Sequence, residues 1–449
     1  MKQVVLVKPP NDLGPEHHSL FGLCCLAGIL RKHGVYAKVV NADADAGWKA
    51  TLRENANQHT IVGIQALTTE VAGAIEASDI ARNAGAKVIW GGIHAQLFPE
   101  QVVADSSIDY VCTGEGESTI TCLALDKPLE EVPNLAYKTD KIHFTEREPD
   151  DMAFQTRPAF DLVEGLSSPW MNRRRYQYQS SRGCPHRCGF CQVPILERGI
   201  WRHCPAERVW EDFEWMQSLD VKVVEFVDDN PFVNPFHMEK IANGLIARKS
   251  RIRWAVNCRA DYISTRLDQH YLRRLVKAGL SSISIGAESG SQRMLDVMTK
   301  DVRVSDITQA AQEIAQLGID SSFSFFFGLK DETVSDVRET IIVFDELKRI
   351  MPKLRIGVNI FTPYPGCALS KGLAREPTSL REWLKPEIRA IYSDRFSGKP
   401  WHNDPSFYTQ LAEYCGMIYS PARAYKPSRL GLRRASGAER EAWEWIHQI

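Results

Sequence analysis

Residues 177–191 read QYQSSRGCPHRCGFC and hold three of the chain's eleven cysteines, Cys184, Cys188 and Cys191, at the spacing C-x₃-C-x₂-C. Three thiolates at this spacing on one loop can converge on a single metal centre. The other eight cysteines are scattered through apolar contexts, which is typical of buried thiols. An odd count in a chain of this length also argues against a disulfide scaffold. The sequence therefore predicts a metal site in this loop.

Zinc is one candidate for the site. A closed structural zinc site requires four ligands, and no fourth Cys or His follows at a zinc-finger spacing. However, His186 lies inside the loop, and His203 and Cys204 follow on the next segment. The alternative is an iron–sulfur cluster with three cysteine ligands, which leaves one iron open. Counting ligands alone leaves both candidates open.

After the cysteine loop the pattern favours a partial (β/α) barrel. Short apolar strands alternate with amphipathic helical stretches, and a strand also precedes the loop, which gives about six strands rather than the eight of a full barrel. We expect functional residues at the carboxyl ends of these strands. The candidate strands after the loop are Val223–Val227, Ile252–Val256, Ser282–Ile285, Ser321–Phe327 and Ile356–Phe361.

The first part of the chain also alternates strands with helices, which predicts a parallel α/β sheet with right-handed crossovers. Ligands of such open sheets bind outside the carboxyl ends of the strands. Those ends carry small and polar residues here, but no GxGxxG follows the first strand and no GxxxxGK[ST] occurs. Dinucleotide and P-loop interpretations therefore lose their main support. The candidate strands are Val4–Val7, Ala37–Asn41, Ile61–Gln65, Val88–Trp90 and Tyr110–Cys112.

Composition excludes some classes of function. The 449 residues are 44% hydrophobic and 25% charged, with a formal net charge of −1. A non-specific nucleic-acid binder is usually strongly basic, so we expect no nucleic-acid partner. The longest apolar run, Leu20–Leu30, is about half of the roughly 20 residues that a membrane span needs. Pro9 and Pro10 interrupt any signal-peptide core, so we expect a cytoplasmic protein without a membrane partner.

The motifs VLVKPPN, GIQALTT, VIWGGIHAQLFPE and DYVCTGEGEST follow one another within residues 4–119. This succession resembles the cobalamin-binding domain that precedes many radical S-adenosylmethionine (SAM) enzymes. The D-x-H-x-x-G motif, which supplies a lower axial histidine in many other cobalamin proteins, is absent. The resemblance thus implies cobalamin without a histidine below the cobalt. It implies that the cobalamin-binding residues are Pro10, Thr68, Thr69, Gly91, Gly92, His94, Gly114, Glu115, Gly116 and Glu117.

The cysteine triplet, with an aromatic residue before its last cysteine, is similar to the radical SAM signature. The resemblance implies a [4Fe–4S] cluster on Cys184, Cys188 and Cys191, with SAM bound at the open iron. It further implies that SAM is contacted by Phe190, Asp228, Asp229, Asn230, Arg259 and Glu288.

Plainer roles remain open for some of these residues. Asp228 and Asp229 are also suited to cap the next helix, and Glu288 to form a structural ion pair with Arg259. The fifth-strand motif departs from the family pattern, because Lys330-Asp331 replaces Pro-Gly.

The resemblance implies four segments. A Rossmann-like cobalamin-binding domain spans 1–130, a hairpin and linker 131–169, the radical SAM barrel 170–366, and a small α-rich C-terminal domain 367–449. Aromatic residues are dense in the last segment, which suggests a cap over the barrel mouth or ordinary core packing.

The implied activity is methylation of an unactivated carbon by methylcobalamin and a 5′-deoxyadenosyl radical. The substrate is a peptide or protein side chain or a small-molecule natural-product intermediate, and the electron donor is a protein such as flavodoxin or ferredoxin. A cyclase or rearrangement enzyme that transfers no methyl group is the first alternative. A cobalamin carrier or sensor with a structural cluster is the second.

Overall fold

The computed structural model describes residues 2–14, 20–163, 175–394, 396–419 and 438–449. The chain forms two compact units. The first contains Met1–Arg173 together with Arg375–Ser393, and the second contains Arg174–Ala374 together with Asp394–Ile449. The predicted C-terminal segment, 367–449, is thus divided between the two units. The predicted boundary at 169/170 lies outside the described residues.

A seven-stranded sheet of order β2-β1-β3-β4-β5-β6-β7 forms the centre of the first unit. Strands β1 to β5 run parallel, and β6 and β7 extend the sheet as the predicted antiparallel hairpin. The strands are β1 (Gln3–Lys8), β2 (Ala37–Asn41), β3 (Thr60–Gln65), β4 (Lys87–Gly91), β5 (Tyr110–Cys112), β6 (Leu135–Lys138) and β7 (Ile142–Phe144).

Helices follow the parallel strands and bury the apolar sheet. The strands read as nearly continuous apolar runs, as β1 does with QVVLVK, because helices cover a parallel sheet on both faces. The helices are α1 (Phe21–Lys32), α2 (Trp48–Asn55), α3 (Val71–Asn83), α4 (Ile93–Leu97), α5 (Pro99–Ala104) and α6 (Glu117–Ala124).

The second unit contains a six-stranded parallel sheet of order β15-β14-β13-β12-β11-β8. This is the predicted partial (β/α)₆ barrel, and it brings the carboxyl ends of all six strands to one edge. A separate two-stranded ladder pairs β9 with β10 next to the cysteine loop. The strands are β8 (Arg175–Tyr178), β9 (Ser181–Arg182), β10 (Arg202–His203), β11 (Val223–Phe226), β12 (Arg253–Arg259), β13 (Leu280–Glu288), β14 (Asp320–Phe327) and β15 (Arg355–Ile360).

The helices of the second half connect these strands and continue to the C-terminus. One of them, α15, lies in the segment that belongs to the first unit. None of the helices in the described part of the chain is both long and apolar enough to cross a membrane. The helices are α7 (Val193–Leu196), α8 (Ala206–Ser218), α9 (Pro235–Ala247), α10 (Ala260–Thr265), α11 (Gln269–Lys277), α12 (Gln292–Val297), α13 (Val304–Ala315), α14 (Val334–Ile350), α15 (Pro386–Ser393), α16 (Pro405–Tyr419) and α17 (Ala438–Gln448).

Candidate functional site

The cysteine loop begins directly after β9, at Gly183, a position that leaves no room for a side chain. Gly183 has φ +87°, and a Cβ at this position would lie 1.9 Å from the carbonyl oxygen of Ile200. Its N–H donates to Oδ2 of Asp229 at 2.8 Å. The direction in which the chain enters the loop is therefore fixed by the backbone conformation of Gly183, by its close packing and by this hydrogen bond.

The three thiols of the loop lie close together. Cys188 is buried, and Cys184 and Cys191 are partly exposed. Burial, together with the neighbouring thiols of the triplet, raises the pKa of Cys188 and raises the pKa of Cys191 to about 11. Within the described residues, no three His, Cys, Asp or Glu side chains are placed to surround a single metal ion. This placement by itself therefore favours neither zinc nor a cluster.

Two buried donors point at these sulfurs. Nδ2 of Asn230 donates to Sγ of Cys184 at 3.6 Å. The guanidinium NH1 of Arg259 donates to Sγ of Cys188 at 3.7 Å. Hydrogen bonds and positive charge stabilise thiolates, which are the form that binds iron. The surroundings of the triplet therefore fit a thiolate-bound cluster.

Asp228 lies behind the loop and holds the strand that leads into it. Its carboxylate accepts hydrogen bonds from the Ser180 N–H at 3.1 Å, from the Ser180 hydroxyl at 2.8 Å and from the Ser181 hydroxyl at 2.6 Å. Burial raises its pKa to about 6. The helix-capping alternative is wrong, because α9 is capped by Asn234, which accepts from the N–H of His237.

Glu288 ends β13 and pairs with a lysine. Lys300 donates through Nζ to Oε1 of Glu288 at 2.9 Å, and Arg259 instead pairs with Asp261 at 2.9 Å. The alternative ion pair between Glu288 and Arg259 is therefore wrong. Glu288 also has φ +67°, a left-handed conformation that costs a non-glycine residue energy. Strained residues of this kind are common at active sites and ligand-binding sites.

Phe190 extends from the loop into an apolar cluster within the second unit. Its ring meets that of Phe326 edge to face, with centroids 5.2 Å apart. Nζ of Lys300 lies 5.4 Å from the Phe190 ring centroid. Lys300 thus lies near both Phe190 and Glu288, two of the residues expected at SAM. Other members of the apolar cluster are Met294, Met298, Leu329 and Phe361.

Sequence reasoning missed two further groups beside the loop. The hydroxyl of Tyr262 lies 2.8 Å from Nε2 of His186 and accepts from Nδ2 of Asn230 at 3.4 Å. Burial, together with the charge of Arg259, lowers the pKa of His186 to about 4. Cys367 donates through Sγ to the carbonyl oxygen of Phe190 at 3.2 Å. His186 is thus held by Tyr262, and no spacing in the sequence signals Tyr262 or Cys367.

In the first unit, His94 lies after the carboxyl end of β4 and is completely buried. Its Nδ1 lies 3.3 Å from the hydroxyl of Thr68, and its Nε2 has no hydrogen-bond partner within the described residues. Burial lowers its pKa to about 3. Trp383 and Phe98 cover the ring, with centroids 4.8 Å and 5.1 Å away. His94 is therefore neutral and enclosed.

The other residues expected at cobalamin also follow strands of this sheet. Gly92 has φ +90°, and a Cβ there would lie 3.0 Å from the carbonyl oxygen of Ala66. Pro10 packs against Gly73, and Thr69 accepts from Nδ2 of Asn11 at 3.1 Å. Gly91 accepts through its carbonyl oxygen from the N–H of Ala66, as the two strand ends meet. Small residues and hydroxyls at one sheet edge fit a large ligand that approaches the backbone.

The GEGE motif leads into α6 and lies beside an acidic neighbour. The carbonyl oxygen of Gly114 accepts from Sγ of Cys112, Gly116 immediately precedes α6, and Glu115 accepts from the N–H of Asp150. Burial, together with the nearby carboxylates of Glu117 and Glu115, raises the pKa of Asp150 to about 6. This part of the edge therefore carries closely spaced negative charge.

A buried ion pair at the same edge escaped sequence reasoning. Nζ of Lys8 lies 2.5 Å from Oε1 of Glu70 and 3.0 Å from Oδ2 of Asp43. Burial raises the pKa of Glu70, while Lys8 opposes that shift. The pair fixes the end of β1 against the turn after β3, which orders the loops on which Pro10, Thr68 and Thr69 lie.

Comparisons with known proteins support both halves of this description. Residues 178–342 match the model of the Radical SAM superfamily, and residues 11–124 match that of the B12 binding domain. The chain is 27% identical to an uncharacterised methyltransferase of Pyrococcus horikoshii, with 82% of each protein covered. It is also 27% identical to the anaerobic magnesium-protoporphyrin IX monomethyl ester cyclase of Cereibacter sphaeroides, over 63% of this chain and 48% of the cyclase.

Among solved structures, the chain resembles the radical SAM methyltransferase TsrM from Kitasatospora setae with tryptophan and a SAM analogue bound. The TM-score is 0.71 at 18% identity, over 85% of this chain and 82% of TsrM. At that identity the likeness shows the fold. Fold and cysteine loop therefore agree with the two matched families.

Proposed function

We propose that this chain, which joins a B12-binding domain to a radical SAM domain, is a cobalamin-dependent radical SAM methyltransferase. Its cofactors are a [4Fe–4S] cluster, SAM and cobalamin, and its substrate offers an unactivated carbon. The observation that carries this proposal is the pair of family matches, with the cysteine triplet inside one and the GGIH and GEGE motifs inside the other.

Residues of both units support this cofactor assignment. Cys184, Cys188 and Cys191 would hold the cluster, and the residues after the strands of the first unit would hold cobalamin. When bound, the cluster supplies the electron that cleaves SAM, and cobalamin carries the methyl group. The chain's own contribution is to bind and orient these groups and to exclude water from them.

Two buried polar atoms in the second unit are suited to SAM. Oδ1 of Asn230 and the hydroxyl of Thr362, just past β15, have no hydrogen-bond partner in the described part of the chain. A buried polar atom without a partner costs about 1–3 kcal/mol. A polar ligand that forms hydrogen bonds with these atoms recovers that free energy. At the end of β13, Lys300 and Glu288 also present one positive and one negative charge to such a ligand.

The first methyl transfer can be tested without the substrate. Reconstituted protein is incubated anaerobically with methyl-deuterated SAM and dithionite, and the products are identified by mass spectrometry. We expect 5′-deoxyadenosine, S-adenosylhomocysteine and deuterium label on the extracted cobalamin. Cys188→Ala should yield no 5′-deoxyadenosine, and Cys415→Ala serves as the control because its thiol lies in α16, away from the loop.

The similarity to a cyclase gives the second candidate, an enzyme that uses both cofactors without transferring a methyl group. Formation of 5′-deoxyadenosine with neither S-adenosylhomocysteine nor labelled cobalamin would favour it. A protein that retains a full cluster and does not cleave SAM would instead be a carrier or sensor.

We also propose the partners and the compartment. The substrate is a peptide or protein side chain or a natural-product intermediate, and flavodoxin or ferredoxin delivers the electron. The eleven free cysteines support a reducing compartment, the cytoplasm. Replacing dithionite with reduced flavodoxin in the assay above tests the donor, since 5′-deoxyadenosine should still form.

A further inference from the structure

We propose that Arg259 and Asn230 are positioning residues of the cluster: each donates a hydrogen bond to a cysteine ligand, and together they raise the reduction potential of the cluster. This role differs from the SAM contact that the family resemblance implies for both residues. The inference rests on the cluster assignment made in the proposed function.

Arg259 is buried and oriented by three partners. Its Nε donates to Asp261 at 2.9 Å, and its NH2 donates to the carbonyl oxygen of Lys300 at 2.6 Å and of Asp301 at 3.4 Å. With these contacts made, NH1 is left directed at Sγ of Cys188, 3.7 Å away. The guanidinium therefore presents a fixed positive charge to one thiolate.

Asn230 is held in a comparable way. Its backbone carbonyl oxygen accepts from Nε1 of Trp201 at 3.0 Å. The hydroxyl of Tyr262, itself anchored by His186 of the cysteine loop, lies 3.4 Å from Nδ2. The same Nδ2 reaches Sγ of Cys184 at 3.6 Å. Asn230 is thus oriented through Tyr262 by His186, a residue of the cysteine loop itself.

Placing donors at two thiolates has a definite electrostatic effect. Taking up one electron from an external reductant increases the negative charge on the cluster and its sulfurs. Hydrogen bonds to the sulfurs and a nearby cation stabilise the more negative state, so they raise the reduction potential. Burial strengthens this effect, because the low local dielectric screens the charges less than water does.

Arg259→Gln and Asn230→Ala test the inference in the reconstituted full-length protein. The midpoint potential of the cluster is measured by redox titration followed by electron paramagnetic resonance, with iron content and SAM affinity measured in parallel. For Arg259→Gln we expect about tenfold less reduced cluster at a fixed potential, which corresponds to about 59 mV for a one-electron couple. For Asn230→Ala we expect a smaller shift in the same direction.

Arg266→Gln is the matched control. Arg266 is exposed and lies 4.3 Å from the Tyr262 ring centroid, so its loss removes a nearby cation without removing a donor to sulfur. The cluster of Arg266→Gln should have the same midpoint potential as the cluster of the parent protein. Arg259→Lys, which keeps the charge, should recover part of the shift.

The outcomes separate this inference from the proposed function. Protein that binds no iron in any form would refute the cluster itself. If Arg259→Gln and Asn230→Ala keep a full cluster with an unchanged midpoint potential, the inference is wrong and the proposed function stands. The same holds if the control Arg266→Gln shows a shift equal to theirs. If Arg259→Gln does not retain iron, Asn230→Ala and Arg259→Lys decide the question by the same criterion.

Discussion

Lys300 and Glu288 form a nearly buried ion pair at the carboxyl end of β13, with side chains 7% and 12% exposed. The lysine comes from the loop after α12, while the glutamate is held at φ +67°. Because Lys300 also lies near the ring of Phe190, the pair joins a strained strand end to the cysteine loop. We therefore expect substitutions in this pair to change both the stability of the protein and its binding of ligand.

Lys300→Met should destabilise the protein, because it leaves a largely buried carboxylate without its counter-charge. We expect the free energy of unfolding to fall by about 3 kcal/mol, the cost typical of a broken buried pair. Chemical denaturation measures this. Lys240→Met is the control, since Lys240 and Glu207 form an exposed pair whose loss should cost much less. Equal costs in the two variants would contradict the assignment.

Gly183→Ala should prevent cluster assembly. The added methyl group would collide with the carbonyl oxygen of Ile200 and occupy a positive φ. We expect iron content to fall at least severalfold after reconstitution, measured by colorimetric iron assay. Gly199→Ala provides the comparison, because Gly199 also has a positive φ but has open space around its Cβ position. Iron binding by Gly183→Ala equal to that of Gly199→Ala would show that the loop tolerates the change.

Replacing Cys184, Cys188 and Cys191 together with Ala should abolish 5′-deoxyadenosine formation, because no thiolates remain to hold the cluster. Cobalamin should still co-purify, since the residues expected to bind it belong to the other compact unit. Absorbance of extracted cobalamin and chromatography of SAM products measure the two effects. Cys112→Ala should retain iron and SAM cleavage. Iron and activity in the triple variant would refute the cluster assignment.

Glu332 should make the second unit less stable as the pH rises. Burial raises its pKa to about 8, although the N–H of Gly328 and the hydroxyl of Tyr408 donate to it. The folded state therefore keeps a proton that the unfolded chain, with a pKa near 4.5, has lost. Stability is lost as the pH rises towards 8, by up to about 1.4 kcal/mol per pH unit.

Glu332→Gln removes this titration. Between about pH 5 and about pH 8, the range between the unfolded and the folded pKa, the thermal midpoint of the parent protein should fall relative to that of the variant. The two are compared at each pH, so that other titrating groups cancel. Parallel pH profiles would show that Glu332 is already ionised in the folded protein.

Trp383→Ala should destabilise the first unit by about 3–5 kcal/mol, the usual cost of removing a buried tryptophan. It should also uncover the ring of His94 and raise the pKa of that residue from about 3 towards its ordinary value. Nuclear magnetic resonance of ¹³C-labelled histidine measures the pKa, and Trp383→Phe should preserve most of the cover. An unchanged His94 pKa in Trp383→Ala would show that other groups enclose it.

Local pattern predicted much of the fold. The expected strand Val4–Val7 lies within β1, an apolar run that is buried on both faces. The expected strand Ser321–Phe327 lies within β14, where buried residues alternate with more exposed ones. The cysteine spacing located the loop, since ligands for one centre are close in sequence.

The partners of the site residues were not predictable in the same way. Lys300 comes from a loop and not from a strand end, so no strand-end motif signals that it pairs with Glu288. Tyr262 lies in the first turn of α10, and a buried tyrosine in a helix is usually interpreted as part of the core. Asn230 and Arg259 face sulfur atoms, and spacing along the chain does not reveal that orientation.

The return of Arg375–Ser393 to the first unit has a consequence for synthesis on the ribosome. Trp383 supplies part of the cover of His94, and Arg389 pairs with Asp12 at the start of the chain. The N-terminal unit cannot complete its own packing until roughly 200 further residues have been made, a delay of roughly 10 to 40 s at ordinary elongation rates. During that interval His94 and the groups around it lack their tryptophan cover, which gives a nascent chain an open period that the finished protein no longer has.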